Sequence, residues 1–121
     1  MGLDMYAMTT KEPVVGAVDF KASEASELHY WRKHPDLHGW MENLYYEKGG
    51  TEHPFNCTTL ALTSEDLDRL EADIKAGELP ETAGFFFGES DGSEAEGDLA
   101  FIAKARDALA AGLTVFYDSW W

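Results

Sequence analysis

Both ends of this chain alternate apolar and polar residues with a period of two, and nothing else in the sequence limits the available folds as strongly. In residues 2 to 9, Leu3, Met5 and Ala7 fall on one side, with Asp4, Tyr6 and Met8 on the other. In residues 114 to 120, Val115 and Tyr117 oppose Phe116, Asp118 and Trp120. Such alternation marks strands that bury one face and leave the other half open, so any sheet built from them takes its helices on one side.

The interior supplies those helices. Pro35 suits a first helical turn, Leu37, Met41 and Leu44 form an apolar stripe with Trp40 beside it, and Gly49-Gly50 ends the segment near Glu47. The clearest start is Thr63-Ser64-Glu65-Asp66, where a hydroxyl caps free amides and acids suit the helix dipole. Leu67, Leu70 and Ile74 then recur at helical spacing, and Gly77 is a natural left-handed stop. A third helix is expected from Asp98 to Gly112, on Leu99, Ile102, Ala103, Arg106, Leu109 and Ala110. Residues 57 to 62 read as a short strand and 14 to 20 as a weaker one, with a loop over 21 to 27. Residues 29 to 33 fit either an extended segment or a helix start. Gly84-Phe85-Phe86-Phe87-Gly88 is too short and aromatic for a helix and reads as a buried strand or plug.

This order predicts an α+β fold, a single mainly antiparallel sheet with about three helices packed on it, while leaving room for one parallel pair. A 45% hydrophobic and 13% aromatic composition offers enough apolar surface for one compact domain over residues 1 to 121. The lone Cys57 cannot form an intramolecular disulfide, and no basic-then-apolar leader or membrane-spanning run is seen, so a cytoplasmic protein is expected. The net charge of -14 is concentrated between Glu65 and Asp98, where twelve carboxylates meet only Arg69 and Lys75. That field disfavours direct contact with nucleic acid and favours a basic partner, although an acidic surface also serves solubility alone.

Residues 28 to 46 gather Tyr30, Trp31, Trp40, Tyr45 and Tyr46 with His29, His34 and His38 around the adjacent cations Arg32-Lys33. Tyr30, Trp31, Arg32, Lys33, His38 and Trp40 are therefore the candidate binding residues, aromatic anchors beside a small anion grip. The competing reading packs the aromatics in the core and pairs the cations with acids. His34, His38, His53 and Cys57 offer two pairs at four-residue spacing, a weak zinc set without a CxxC motif. No metal or other cofactor is expected. Asp4, His38 and Cys57 are weak catalytic candidates, and Asp4, an acid on an otherwise apolar strand, is expected to pair with Arg32 or Lys33.

The opening Met-Gly-Leu-Asp-Met-Tyr, the run Tyr30-Trp31-Arg32-Lys33 with His38 and Trp40, Asn56-Cys57, Gly84 to Gly88 and the closing Tyr117-Asp118-Ser119-Trp120 span nearly the whole chain. Together they resemble an uncharacterised family of small bacterial and phage proteins. The resemblance implies a compact domain carried on phage or prophage genomes and brings no activity, cofactor or catalytic residue with it. His34 and Pro35 stand where such proteins more usually have small or polar residues, which counts against a site built on His34.

The function expected from these observations is a non-catalytic, acidic binding module that engages a basic host or phage protein. The alternative is a small enzyme or ligand-binding domain with an anion site at Arg32 and Lys33 and with Asp4, His38 or Cys57 as reactive groups.

Overall fold

The computed structural model describes residues 2–12, 14, 16–22, 24–82, 90 and 93–121. Gly84 to Gly88, expected as a strand or plug, lie outside the described residues. Strands β1 (Asp4–Thr10), β2 (Ser26–Arg32), β3 (Leu60–Leu62) and β4 (Thr114–Trp120) form one sheet in the order β2-β1-β4-β3. Helices α1 (Pro35–Glu47), α2 (Ser64–Ala76) and α3 (Ala95–Ala110) complete the α+β fold. All three strand pairs are antiparallel, and no parallel pair occurs among the described residues. No described helix is long and apolar enough to cross a membrane.

The terminal alternation works as its period requires. Met5 and Ala7 of β1 are fully buried, as are Val115 and Tyr117 of β4, and they form one core with Leu37, Met41, Leu67, Leu70 and Ile102. Asp4, Tyr6 and Met8 pair with Trp120, Asp118 and Phe116 across the β1–β4 ladder and share the opposite face. The shift between Ala7 and Met8 in the β1–β2 ladder sets Glu27 beside Met8.

Helix α2 is closed at both ends as its sequence announces. Thr63 Oγ1 accepts from Asp66 N at 3.2 Å while Asp66 Oδ2 accepts from Thr63 N at 2.8 Å, a reciprocal capping box, and Gly77 takes the left-handed conformation at φ 69°. Helix α1 has no cap from its own N-cap residue, His34; instead the Ser90 hydroxyl accepts the first-turn Asp36 N–H at 3.1 Å. Trp40 Nε1–H donates to Asp73 Oδ2 at 2.8 Å and ties α1 to α2. Arg106 of α3 reaches Asp68 and Glu71 of α2 at 2.7 and 3.1 Å.

Four expectations need correction. The buried stripe of α3 is Asp98, Phe101, Ile102, Ala105 and Ala108, and Ala103 and Ala110 are exposed. Phe101 was passed over although its ring packs edge-on against Trp31 at 4.8 Å. Among the described residues of 14 to 20, the pairing is the isolated bridge Val18↔Leu60, and Phe20 turns over the sheet onto Phe116 at 5.3 Å rather than joining a ladder. The expected loop over 21 to 27 ends early, with β2 beginning at Ser26, and the strand expected over 57 to 62 is only Leu60–Leu62, since Cys57 is exposed at φ 57°.

Gly39 is buried in α1 where a Cβ would stand 1.9 Å from Thr82 Oγ1 and 3.0 Å from Thr82 Cβ. Helix propensity alone predicts a gain of roughly 1 kcal/mol for Gly39→Ala, but overpacking against a branched side chain costs about 1–3 kcal/mol. The urea midpoint is expected to fall in Gly39→Ala and to recover largely in Gly39→Ala/Thr82→Gly. A rise in the single variant would show that the α1–residue 82 contact is loose.

Candidate functional site

The aromatic segment divides between two faces. Trp31 and Trp40 are each only 7% exposed, and His38 is buried, so these three residues are not part of a solvent-facing binding patch. The cause is hydrogen bonding as much as apolarity: Trp31 Nε1–H donates to Asp98 Oδ1 at 2.9 Å, and Trp40 is held by Asp73. Tyr30, at 43% exposure, Arg32 and Lys33 do face outward. Lys33 sits at φ 56°, a left-handed turn that ends β2, with its N–H donating to Leu3 O at 2.8 Å.

Asp4 behaves as the alternation implies. It accepts the Tyr30 hydroxyl at 2.6 Å and lies 3.6 Å from Arg32, so the expected pairing with a neighbouring cation is present. Half of the anion grip imagined at Arg32-Lys33 is thus already occupied by a carboxylate. His38 lies in the core with Nδ1 2.7 Å from the Tyr117 hydroxyl, and burial, opposed by a backbone hydrogen bond with Phe55, lowers its pKa to about 4. Cys57 is exposed, and partial desolvation followed by the charge of Asp118 raises its thiol pKa, the opposite of what an attacking thiolate needs. Asp4, His38 and Cys57 therefore serve separate local environments instead of one reactive centre.

The zinc set is likewise dispersed: His34 bonds Ser90 and Asp98, His38 bonds Tyr117, and His53 lies 3.3 Å from the Tyr46 hydroxyl. Among the described residues, no three His, Cys, Asp or Glu side chains gather as a metal ion would require. The residues brought together at His34 were not anticipated. Asp98 takes Trp31 and His34 on its two oxygens, His34 Nε2 at 2.8 Å, and His34 Nδ1 lies 2.7 Å from Ser90 Oγ. An acid standing first in an apolar stripe was the available signal.

A groove of about 410 Å³ runs between β1, β4 and the chain around residue 22, lined by Tyr6, Met8, Glu27, Phe116 and Asp118 among others. Half-buried Tyr6 and Met8 and the buried Phe116 line it beside the carboxylates of Glu27 and Asp118. Desolvation, then Asp4, Glu27 and Asp118 in turn, raises the Tyr6 pKa, which means that three carboxylates direct negative potential at one phenol. Burial also raises the pKa of Asp118 against the opposing hydrogen bond from Ser119 N–H at 2.8 Å. Neither Asp118 nor Glu27 is ion-paired with a cation among the described residues. Tyr30 adjoins the groove through its ring contact with Tyr6 at 5.4 Å, and Trp120, at 68% exposure, marks the far end of β4.

No protein-family model, curated protein or solved structure matches this chain.

The depressed His38 pKa has a defined consequence for stability. The unfolded chain binds a proton at His38 near pH 6.5 and the folded chain only near 4, so the unfolded state holds more protons in between. His38 thus withdraws stability as pH falls from about 6.5 to about 4, by at most roughly 3 kcal/mol. Asp118, raised in the fold, works oppositely and returns part of that loss. Urea titrations across this window are expected to show a decline that flattens in His38→Gln. An equally steep decline in that variant would contradict the assignment.

Proposed function

We propose that this chain is a binding module, with no chemistry at its recognition face, whose open sheet surface receives a basic, partly apolar segment of another protein. The observation that carries this reading is the groove over Tyr6, Met8 and Phe116, edged by Glu27 and Asp118, which have no ion-paired cation among the described residues. A Lys or Arg side chain entering there would meet a partly desolvated carboxylate and the face of an aromatic ring. Cation–π contact contributes about 0.5–2 kcal/mol, and a charge-assisted hydrogen bond to a half-buried carboxylate adds a comparable amount.

The same arrangement argues against nucleic acid, since Asp4, Glu27 and Asp118 would repel phosphates from the very rings on which bases would stack. The face suits a host or phage protein whose surface is basic, in keeping with the resemblance to phage and prophage proteins. The lone Cys57 fits action in a reducing cytoplasm.

Fluorescence anisotropy with a labelled peptide of alternating Arg and Leu provides the test. Binding is expected at low salt and is expected to weaken as salt rises. Asp118→Asn should weaken it about tenfold, equivalent to about 1.4 kcal/mol, and Tyr6→Ala by a similar factor, while Glu65→Gln on α2 changes little. Equal losses in all three variants would indicate attraction to net charge alone and would overturn a groove-specific reading.

A further inference from the structure

On the helix side of the sheet, away from the recognition groove, a second constellation has the polarity of an activated hydroxyl. Asp98 is 1% exposed and can only accept when ionised, so His34 Nε2 carries the proton shared with Asp98 Oδ2 at 2.8 Å. In the neutral ring, Nδ1 is then an acceptor, and the Ser90 hydroxyl 2.7 Å away donates to it. Ser90 Oγ in turn receives the Asp36 N–H at 3.1 Å. Each bond orients the next: Asp36 N–H to Ser90, Ser90 to His34, His34 to Asp98, with Trp31 Nε1–H fixing the second oxygen of Asp98 at 2.9 Å. A nucleophile within reach of a base, and a base held by a third group, is the arrangement acyl transfer uses, and it depends on geometry rather than chain order. Here the two ring nitrogens exchange places, Nδ1 facing the serine.

The constellation opens on a cavity of about 130 Å³, room on the order of a few water molecules. Ile74, Leu79 and Ala95 supply apolar lining, and Asp36 and Glu94 supply negative charge. We propose that Ser90 is a nucleophile, His34 its general base and Asp98 the group that positions His34, acting on uncharged or cationic esters of short acyl chains. Ser90 Oγ forms a bond to the acyl carbon as its proton passes to His34 Nδ1. The tetrahedral adduct then expels the alcohol, which leaves with the proton from Nδ1. Water repeats the sequence: His34 takes one of its protons, hydroxide adds to the acyl carbon, and the acid departs as Ser90 regains its hydrogen. The resemblance counted against a site at His34, but the geometry gives that residue partners on both ring nitrogens.

The test uses the full chain, p-nitrophenyl acetate and a fluorophosphonate probe, with mass spectrometry of the labelled peptide. A single adduct on Ser90 and release of p-nitrophenolate are expected, and both should vanish in Ser90→Ala. His34→Gln should slow labelling about 100-fold and remove the rise of labelling rate with pH, with folding of each variant followed by circular dichroism. Absence of an adduct on Ser90, or an unchanged rate in folded His34→Gln, would overturn the proposal and leave Ser90 as a cap for α1 only. Should His34→Gln not fold, Ser90→Cys in a Cys57→Ser background decides the matter. A thiolate paired with His34 reacts with iodoacetamide at pH 6 about tenfold or more faster than a cysteine in an unstructured peptide, whereas a peptide-like rate would overturn the assignment.

Discussion

The buried carboxylate of Asp98 is the constraint on which the rest of the structure depends. One oxygen holds the indole of Trp31 in β2, the other holds His34 at the entry to α1, and the carboxylate itself stands in the first turn of α3. The junction of β2 and α1 is thereby fixed to α3, more than sixty residues further along the chain, at a depth where each donor stripped of its acceptor would cost about 1–3 kcal/mol. Because Trp31 is drawn inward, the period of the strand directs Tyr30 and Arg32 outward. The hydrogen bond that closes the core on one side therefore helps decide what the sheet presents on the other.

Charge is distributed to match. On the helix layer, Lys48 pairs with Asp66, Arg69 with Glu47, and Arg106 with Asp68 and Glu71. Most of these pairs are exposed and contribute little to stability, but they neutralise part of the acidic stretch from Glu65 onward. On the open face, Arg32 answers Asp4, while Glu27 and Asp118, without an ion pair to a cation among the described residues, lie beside Tyr6 and Phe116. Apolar rings there stand beside carboxylates that no cation among the described residues ion-pairs.

The sequence was informative wherever a local rule decides the outcome. The capping residues of α2, the glycine that ends it, the stripe of α1 and the alternation of β1 and β4 all express short-range physics. What could not be read was which strand lies beside which. Tyr6 and Met8 are visible as the outer side of β1, but their meeting with Asp118 and Phe116 requires the β1–β4 register, and Glu27 arrives only through a ladder shift. Tyr30-Trp31-Arg32-Lys33 misled for a related reason, since neighbours in a strand point to opposite faces and a contiguous motif is split by the sheet. The sequence marks Asp98 only as the start of the third helix; its burial depends on Trp31 and His34, which only the tertiary structure supplies.

The most direct test of the recognition face is residue-level footprinting of tyrosine, tryptophan and carboxyl side chains, by mass spectrometry, with and without a basic peptide. This account expects protection at Tyr6, Tyr30, Glu27 and Asp118, with no change at Trp31, Trp40 or the acids of α2. Protection concentrated on Glu65, Asp68 and Asp73, with the open sheet face unchanged, would contradict it.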